Sequence, residues 1–143
     1  MQPKKRIIAI DYGTKRIGLA KSDPLWLFAQ PVGTVDRAGL SSALATMVKH
    51  DEIALVLVGY PLNEDGEKNA MTSVVDRFIE ELRTEFSELT IEAVDERHSS
   101  RDARQILMAS GRSRKERQQK GRIDSAAACV LLTEYLESNG RRK

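Results

Sequence analysis

Apolar residues in the first 35 positions recur in short runs separated by polar residues, a pattern typical of β-strands. Ile7 to Ile10 form a β-branched apolar run that ends at Asp11. Alternation predicts a second strand from Arg16 to Ala20 and a third from Leu27 to Val35, in which Pro31 fits only an edge or a bulge. The connections are too short for crossover helices, so we expect an antiparallel meander.

After Asp36 the apolar period becomes that of a helix, with Leu40, Leu44, Met47 and Val48 on one face. The continuously apolar run after this helix is typical of a strand buried on both faces. The elements expected from there on are a strand from Ile53 to Val58, a polar loop from Gly59 to Lys68, a helix from about Ala70 to Phe86, a strand from Thr90 to Val94, a helix from a capping box at Ser99 to about Ala109, a basic loop from Gly111 to Gly121, and a helix from about Ile123 to Glu137.

The two long helices have predicted inner faces. These are Val74, Val75, Phe78, Ile79, Leu82 and Phe86 for the first, and Ala126, Ala127, Val130, Leu131 and Tyr135 for the second. A meander followed by right-handed βα crossovers predicts an α/β fold with a mixed five-stranded sheet flanked by helices. This is the element order of the ribonuclease H-like fold. The length of 143 residues suits one domain spanning residues 1–143.

Composition excludes several classes of protein. Hydrophobic residues make up 41% and charged residues 31% of the chain, too apolar for a disordered protein and too charged for a membrane protein. The apolar stretch after the basic start is broken by Asp11, so no signal peptide is expected. Cys129 is the single cysteine, so no internal disulfide is possible and a thiolate metal site is not expected. The expected location is the reducing cytoplasm, with no membrane partner.

The formal net charge of +2 conceals an uneven distribution. From Arg97 to Arg122 nine Lys/Arg face two acids, a net charge of +7, so the rest of the chain carries −5. A solvated surface would explain a charge run alone, but the position of the acids favours a polyanionic partner. The residues expected to contact nucleic-acid phosphates are Lys15, Arg16, Arg97, Arg101, Arg104, Arg112, Arg114, Lys115, Arg117, Lys120 and Arg122.

Three acids stand where a sheet enzyme places its site, at predicted strand and helix ends. Asp11 ends the first strand, Glu96 follows the fifth, and Asp124 lies in the first turn of the last helix. Small residues at 126–128 would let that helix approach the sheet closely. Converging carboxylates repel one another unless a hard cation binds, so we expect Mg²⁺ or Mn²⁺ here. Two such ions can activate water and stabilise the leaving oxygen in phosphodiester hydrolysis.

Each acid also has a structural interpretation. Asp124 could cap its helix, an effect worth about 0.5–2 kcal/mol, Glu96 could pair with a neighbouring arginine, and Asp11 could begin a turn. The coincidence of all three beside the basic stretch favours chemistry. Gly59, Pro61 and Asn63 follow the fourth strand and are candidates for a substrate loop, with a strand-ending turn as the alternative. Trp26 and Phe28 suit the core or a dimer surface, with base stacking as a further alternative.

Four sequence blocks resemble the YqgF/RuvX family, in the family's order and spacing. They are Ile10–Ala20, Val58–Asn63 with Gly66, Val94–Arg97 with Ser99 and Ser100, and Ile123–Ala127. The resemblance implies a ribonuclease H-like fold related to RuvC. It also implies Holliday-junction resolution or maturation of the 5′ end of the 16S rRNA precursor.

By this resemblance, Asp11, Glu96 and Asp124 are the metal-binding catalytic acids. Asp95 is adjacent to Glu96, but successive strand residues point to opposite faces, so only one of the pair is expected at the site, and we assign it to Glu96. RuvC-type resolvases carry a fourth carboxylate one helical turn before the last, where this chain has Gly121.

The leading hypothesis is therefore a Mg²⁺- or Mn²⁺-dependent endonuclease that acts on structured nucleic acid with two metal ions. An alternative is a non-catalytic nucleic-acid-binding module in transcription or ribosome maturation, although all three acids are present. An actin-like or sugar-kinase ATPase would share the Asp11–Thr14 turn but needs two such domains. RNA and DNA remain alternative substrates. A homodimer would suit paired junction cuts, and ribosomal particles are the expected context for rRNA processing.

Overall fold

The computed structural model describes residues 5–13, 15–50, 52–95 and 120–139, with side chains in the last range from 126 to 138. Within these ranges no helix is long and apolar enough to cross a membrane. The helix predicted from Ser99 and most of the basic loop lie outside the described residues. The elements are β1 (Arg6–Tyr12), β2 (Ile17–Ser22), β3 (Ala29–Val35), α1 (Arg37–Lys49), β4 (Ile53–Tyr60), α2 (Ala70–Glu85), β5 (Ile91–Asp95) and α3 (Lys120–Asn139).

The strands form one mixed sheet in the order β3-β2-β1-β4-β5. β1 pairs antiparallel with β2, and β2 with β3, whereas β1 and β4, and β4 and β5, are parallel. This confirms the predicted meander followed by βα crossovers. β1 is central because its apolar run is buried on both faces, with Ile7 to Ile10 at most 1% exposed.

The third strand lies at the sheet edge and contains an irregularity, as Pro31 requires. Leu19 pairs with Gly33 and Ala20 with Pro31, so Val32 is the extra residue. The predicted start at Leu27 is wrong, because the strand begins at Ala29. The N–H of Leu27 instead donates to Asp23 Oδ1 at 2.7 Å, within the loop that joins β2 to β3.

The sheet has a hydrophobic core on each face. The α1/α2 face is the side covered by these two helices, and its core includes Ile8, Ile10, Leu40, Leu44, Val56, Val58, Val75, Phe78 and Leu82. The α3 face is the opposite side, and its core includes Ile7, Ala9, Ala20, Leu57, Ala128, Leu131, Leu132 and Leu136. Alternating side chains of β1 serve both cores, which explains why that strand is continuously apolar.

Several predicted boundaries and inner faces need correction. β4 continues to Tyr60, so the polar loop begins at Pro61, because Gly59 and Tyr60 pair with β5. In α2, Val74 is 38% exposed, since the buried row runs through Thr72, Val75, Phe78, Ile79 and Leu82. In α3, Ala126 and Val130 are half-buried, because the row against the sheet passes through Ala128, Leu131, Leu132 and Leu136. α3 also begins at Lys120, so the predicted loop loses its last two residues to the helix, and Asp124 lies in the second turn of that helix instead of the first.

Candidate active site

Asp11 lies near the carboxyl end of the central strand, on the α3 face. Its predecessors Ile7 and Ala9 belong to the α3-face core, and strand alternation places Asp11 on the same side. Tyr12 points to the opposite face, where its ring stacks on Phe78 with 4.2 Å between centroids. Asp11 is half-buried. The structure therefore places this carboxylate at the carboxyl end of the central strand, the position that the sequence predicted.

Glycines flank Asp11 in the sheet. Gly18 of β2 pairs directly with Asp11. On the other side Ile10 pairs with Val58, so the next position of β4, Gly59, stands beside Asp11. Glycine within a strand commonly marks a place where a ligand or another backbone comes close. The α3 face consequently has a floor without side chains on either side of the Asp11 carboxylate, which we call the glycine floor (Gly18 and Gly59).

The turn after β1 carries two cationic side chains, at the same end of the sheet as Asp11. The N–H of Gly13 donates to the carbonyl of Arg16 at 3.0 Å. A Cβ on Gly13 would lie 2.5 Å from that carbonyl oxygen, so the turn requires glycine. Lys15 and Arg16 are exposed within this turn, and Arg16 directly precedes β2. Both therefore lie at the carboxyl end of β1, the end at which Asp11 stands.

Asp95, at the end of β5, faces the opposite side of the sheet from Asp11. Ile91 belongs to the core of the α1/α2 face, whereas Val94 packs on the α3 face. Alternation then directs Asp95, which pairs with Tyr60, to the α1/α2 face, opposite to Asp11. Glu96 itself lies outside the described residues.

The last helix approaches the sheet through small residues. Ala127 and Ala128 are 2% and 0% exposed, and Ala128 shares its cluster with Ala9 and Ala20. Alanine against alanine lets a helix axis come closer to a sheet than larger side chains would. This supports the expected close approach of α3. The backbone of Asp124 is part of α3, but its side chain lies outside the described residues.

Tyr135 relates α3 to the fifth strand. Partial burial raises the pKa of the Tyr135 hydroxyl, and the negative charge of Glu92 raises that pKa further. Glu92 is the second residue of β5, so Tyr135 lies near the amino end of that strand.

The loop leaving β4 is joined to the beginning of α2. Pro61 is half-buried and Asn63 is exposed. The side-chain NH₂ of Asn69 donates to the carbonyl of Pro61 and to Oδ1 of Asn63, both at 2.8 Å. Sequence reasoning missed Asn69, although an Asn followed three residues later by Thr72 is a recognisable helix-capping signal.

Sequence comparison assigns the chain to a family. A family model described as "RuvX: Holliday junction resolvase" matches residues 5–138. The chain belongs to the RuvX family. Curated relatives carry the name "Putative pre-16S rRNA nuclease". One from Chlorobium chlorochromatii is 66% identical, covering 93% of this chain and 95% of the relative, and one from Salinibacter ruber is 38% identical over 98% of each.

A solved structure confirms the RuvX fold. RuvC of T. thermophilus, in complex with a Holliday junction substrate, matches with a TM-score of 0.55. The match covers 95% of this chain and 96% of that one, at 17% sequence identity. This likeness shows a common ribonuclease H-like fold, as the element order predicted.

The described part of this RuvX chain contains only a portion of the predicted site. Among the side chains that the structure describes, no three His, Cys, Asp or Glu lie together as a metal site. Asp11 supplies the kind of oxygen donor that a hard divalent cation prefers. The predicted residues outside the described ranges are Glu96, Arg97, Arg101, Arg104, Arg112, Arg114, Lys115 and Arg117, while Lys120, Arg122 and Asp124 are described by backbone alone.

The aromatic candidates lie at the opposite end of the sheet from Asp11, where β1 begins. Ile8 pairs with Lys21, so the loop after β2 is at the amino end of β1, away from Asp11. There the indole N–H of Trp26 donates to the carbonyl of Lys5 at 2.6 Å, and the ring packs against the α3-face core. Phe28 is 67% exposed. Trp26 thus packs, half-buried, against the α3-face core, and base stacking beside Asp11 is not available to it.

Proposed function

We propose that this RuvX protein is a divalent-metal-dependent endonuclease that hydrolyses phosphodiester bonds in structured nucleic acid. The observation that carries the proposal is the carboxylate of Asp11 on the glycine floor, at the carboxyl end of the central strands. Ligands collect at this edge in open α/β sheets. A phosphate backbone can approach Asp11 there because neither Gly18 nor Gly59 has a side chain to obstruct it.

The catalytic acids are assigned as Asp11, Glu96 and Asp124. Asp95 faces away from Asp11, which leaves Glu96 as the acid of that pair. The close packing of α3 supports Asp124, because its position lies about one turn before the fully buried Ala128.

The three carboxylates would hold Mg²⁺ or Mn²⁺, and we assign two ions. When bound, the ions neutralise charge at the phosphate and promote ionisation of the attacking water. The described donor fits this role, since Asp11 is a half-buried carboxylate flanked by glycine in the sheet, and carboxylate oxygen is the donor that a hard divalent cation prefers.

The cationic residues position the substrate. Lys15 and Arg16 lie in the turn directly after β1, at the same end of the sheet as Asp11. We assign them to the scissile phosphate. The basic stretch from Arg97 to Arg122 would bind flanking phosphates, which orients the strand without reading its bases.

The substrate that we propose is the 5′ leader of the 16S rRNA precursor, in the context of a ribosomal particle. The names of the curated relatives support this choice. The family description supports a four-way DNA junction as the second substrate to test. The fold itself is common to both activities.

A cleavage assay tests the proposal directly. Wild type and Asp11→Asn are incubated with Mg²⁺ or Mn²⁺ and offered a 16S precursor leader and a four-way DNA junction in parallel. We expect wild type to cleave the leader, and Asp11→Asn to lose cleavage while retaining binding. Equal activity of the variant would contradict the mechanism. Binding without cleavage by wild type would indicate a non-catalytic module, or an enzyme that requires the ribosomal particle, which is then added as substrate.

A further inference from the structure

Asn69 has an amide whose orientation is set by helix α2. Its Oδ1 accepts hydrogen bonds from the backbone N–H groups of Met71 at 2.8 Å and Thr72 at 3.0 Å. The backbone N–H of Asn69 donates to Thr72 Oγ1 at 2.9 Å. Because both helix groups are donors, the Asn69 side chain must present its oxygen to the helix and its NH₂ to the loop.

The polarity of Asn69 then determines that of Asn63. The Asn69 NH₂ donates to the carbonyl oxygen of Pro61 and to Oδ1 of Asn63. An NH₂ group can only donate, so Asn63 turns its oxygen toward Asn69 and its own NH₂ away. No residue in the described ranges accepts a hydrogen bond from the Asn63 NH₂. A chain of two amides therefore presents an outward donor.

The loop that carries this donor is braced. The N–H of Asn63 donates to the carbonyl of Glu67 at 2.9 Å, and the N–H of Gly66 donates to the carbonyl of Asn63 at 2.8 Å. Gly66 has a φ of 86°, which favours glycine at this turn. The backbone of Asn63 is thus occupied within the loop, and its side chain is held from both ends.

The position of the donor relates it to the candidate site. Asn63 lies four residues after Gly59, which stands beside Asp11 in the sheet. The loop leaves β4 at the carboxyl end of the sheet, the edge at which Asp11 lies. An exposed, oriented NH₂ at this edge matches a ligand that offers only acceptors. The phosphodiester oxygens of a nucleic acid are such a ligand.

We propose that the Asn63 NH₂ donates to a non-bridging oxygen of a backbone phosphate of the bound strand, and that Asn69 is the positioning residue that orients it. This inference rests on the proposed nuclease function and deepens it, because it identifies a neutral phosphate contact outside the basic stretch. Such a contact positions the strand at the carboxyl end of the sheet without reading its sequence.

Asn69→Asp separates the orienting role from helix capping. Aspartate caps helices as well as asparagine does, so the hydrogen bonds from Met71 and Thr72 are retained. A carboxylate cannot donate to Pro61 or Asn63, and the Asn63 amide would rotate to offer it the NH₂, turning an oxygen toward the substrate. Gln30→Glu is the matched control, since it makes the same amide-to-acid change at an exposed position of the edge strand β3.

Affinity is measured by fluorescence anisotropy with labelled precursor leader, using the Asp11→Asn background so that no cleavage occurs. We expect Asn63→Ala and Asn69→Asp each to weaken binding about tenfold, the scale of one hydrogen bond to a charged group. The double variant should be no weaker than Asn69→Asp alone, because Asn69 acts through Asn63. Gln30→Glu should change binding less than about twofold, and all variants should keep the wild-type melting temperature.

Substrates with single methylphosphonate substitutions locate the contact. Removing the charged oxygen at the contacted phosphate should weaken binding by the protein that keeps Asn63 but not binding by Asn63→Ala, both in the Asp11→Asn background. The loss of affinity should be the same for leaders of different sequence. In otherwise wild-type enzyme, both variants should raise KM more than they lower kcat.

The outcomes distinguish this inference from the proposed function. Wild type that binds and cleaves, together with an unaffected Asn63→Ala, overturns the inference alone. Additive losses for Asn63→Ala and Asn69→Asp overturn the positioning role. A loss that depends on base sequence overturns the phosphate assignment in favour of a base contact. Failure of wild type to bind either nucleic acid overturns both the inference and the proposed function.

Discussion

At Gly13 the main chain turns so tightly that a single methyl group would collide with backbone. A Cβ added to this residue would lie 2.5 Å from the Arg16 carbonyl oxygen, which also accepts the Gly13 N–H. Gly13→Ala should therefore lower the free energy of unfolding by about 1–3 kcal/mol, as overpacking does elsewhere. Urea denaturation monitored by circular dichroism measures this change.

The same turn provides the control for Gly13→Ala. Lys15 is exposed, so Lys15→Ala should change stability by no more than about 0.5 kcal/mol. In phosphate binding the order should reverse, with Lys15→Ala weakened more than Gly13→Ala, because Lys15 is proposed to contact substrate. A Gly13→Ala protein as stable as wild type would show that the turn can open without cost.

Asp23 organises the loop between β2 and β3 with its carboxylate. Partial desolvation acts to raise the pKa of Asp23, but backbone N–H groups of Phe28, Leu27 and Leu25 donate to it and together hold that pKa below its usual range. The donor distances are 2.6, 2.7 and 3.0 Å. The ionised carboxylate thus stabilises the folded state.

The pH dependence of stability follows from this depressed pKa. The stabilisation is fully present above the unfolded-state pKa of about 3.9 and is lost as pH falls through the folded-state value. Wild type should therefore exceed Asp23→Asn in free energy of unfolding by a constant amount from about pH 7 to about pH 5, with the difference shrinking below about pH 4. Urea titrations from about pH 3 to about pH 7 test this, and a constant difference throughout would contradict it.

At the scale of the elements, helix α3 depends on small residues against the sheet. Ala128 is fully buried and packs in one cluster with Ala9 and Ala20. Ala128→Leu keeps a strong helix former but should push the helix from the sheet, at a cost of about 1–3 kcal/mol. Because α3 carries Asp124, cleavage should fall by more than the fraction of unfolded protein explains.

Thr133 provides the matched control on the same helix. It is exposed, so Thr133→Leu adds bulk without touching the sheet. We expect that variant to retain wild-type stability and cleavage. If Ala128→Leu loses stability but its folded fraction cleaves normally, the spacing between α3 and the sheet does not position the site.

The element boundaries show where local patterns suffice. The five strands of the described residues were all predicted, because alternation and β-branched runs are properties of neighbouring residues. The inner row of α3 was predicted less well. Residues 126–132 are apolar almost throughout, so periodicity alone could not decide that Leu132 faces the sheet while Val130 is half-buried. Only packing against a particular sheet makes that choice.

At the scale of the whole molecule, charge is concentrated in one segment of the chain. Residues 97–122 carry +7 against −5 elsewhere. Reversing Arg112, Arg114 and Lys115 to Glu should weaken binding to every nucleic-acid sequence. It should also flatten the salt dependence, by about 0.9 in the log–log slope for each duplex-DNA phosphate that the variant no longer neutralises. Anisotropy titrations from about 50 to about 300 mM salt measure both effects.

A charge reversal on another surface completes that comparison. Lys49 lies at the end of α1 and is exposed, so Lys49→Glu should alter the slope little. Unchanged binding by the triple variant would remove the stretch from the substrate-binding surface. A loss confined to one sequence would instead indicate base recognition.

The sequence by itself determined the class of fold and the position of Asp11. An acid that ends a β-branched apolar run is recognisable locally, and the change from period 2 to period 3.6 after Asp36 orders strands and helices along the chain. The family blocks add Glu96 and Asp124 as expectations. These features were accessible because each depends on residues that are close in sequence.

The tertiary structure decided what surrounds Asp11. Gly18 and Gly59 are 7 and 48 positions away from it in the chain, and only strand pairing makes them its neighbours. The antiparallel pairing of β1 with β2 likewise placed Trp26 at the opposite end of the sheet, and the register of β5 directed Asp95 to the other face. The orientation of the Asn63 amide required the start of α2. Such features depend on pairing and packing between distant segments, which no local pattern of residues specifies.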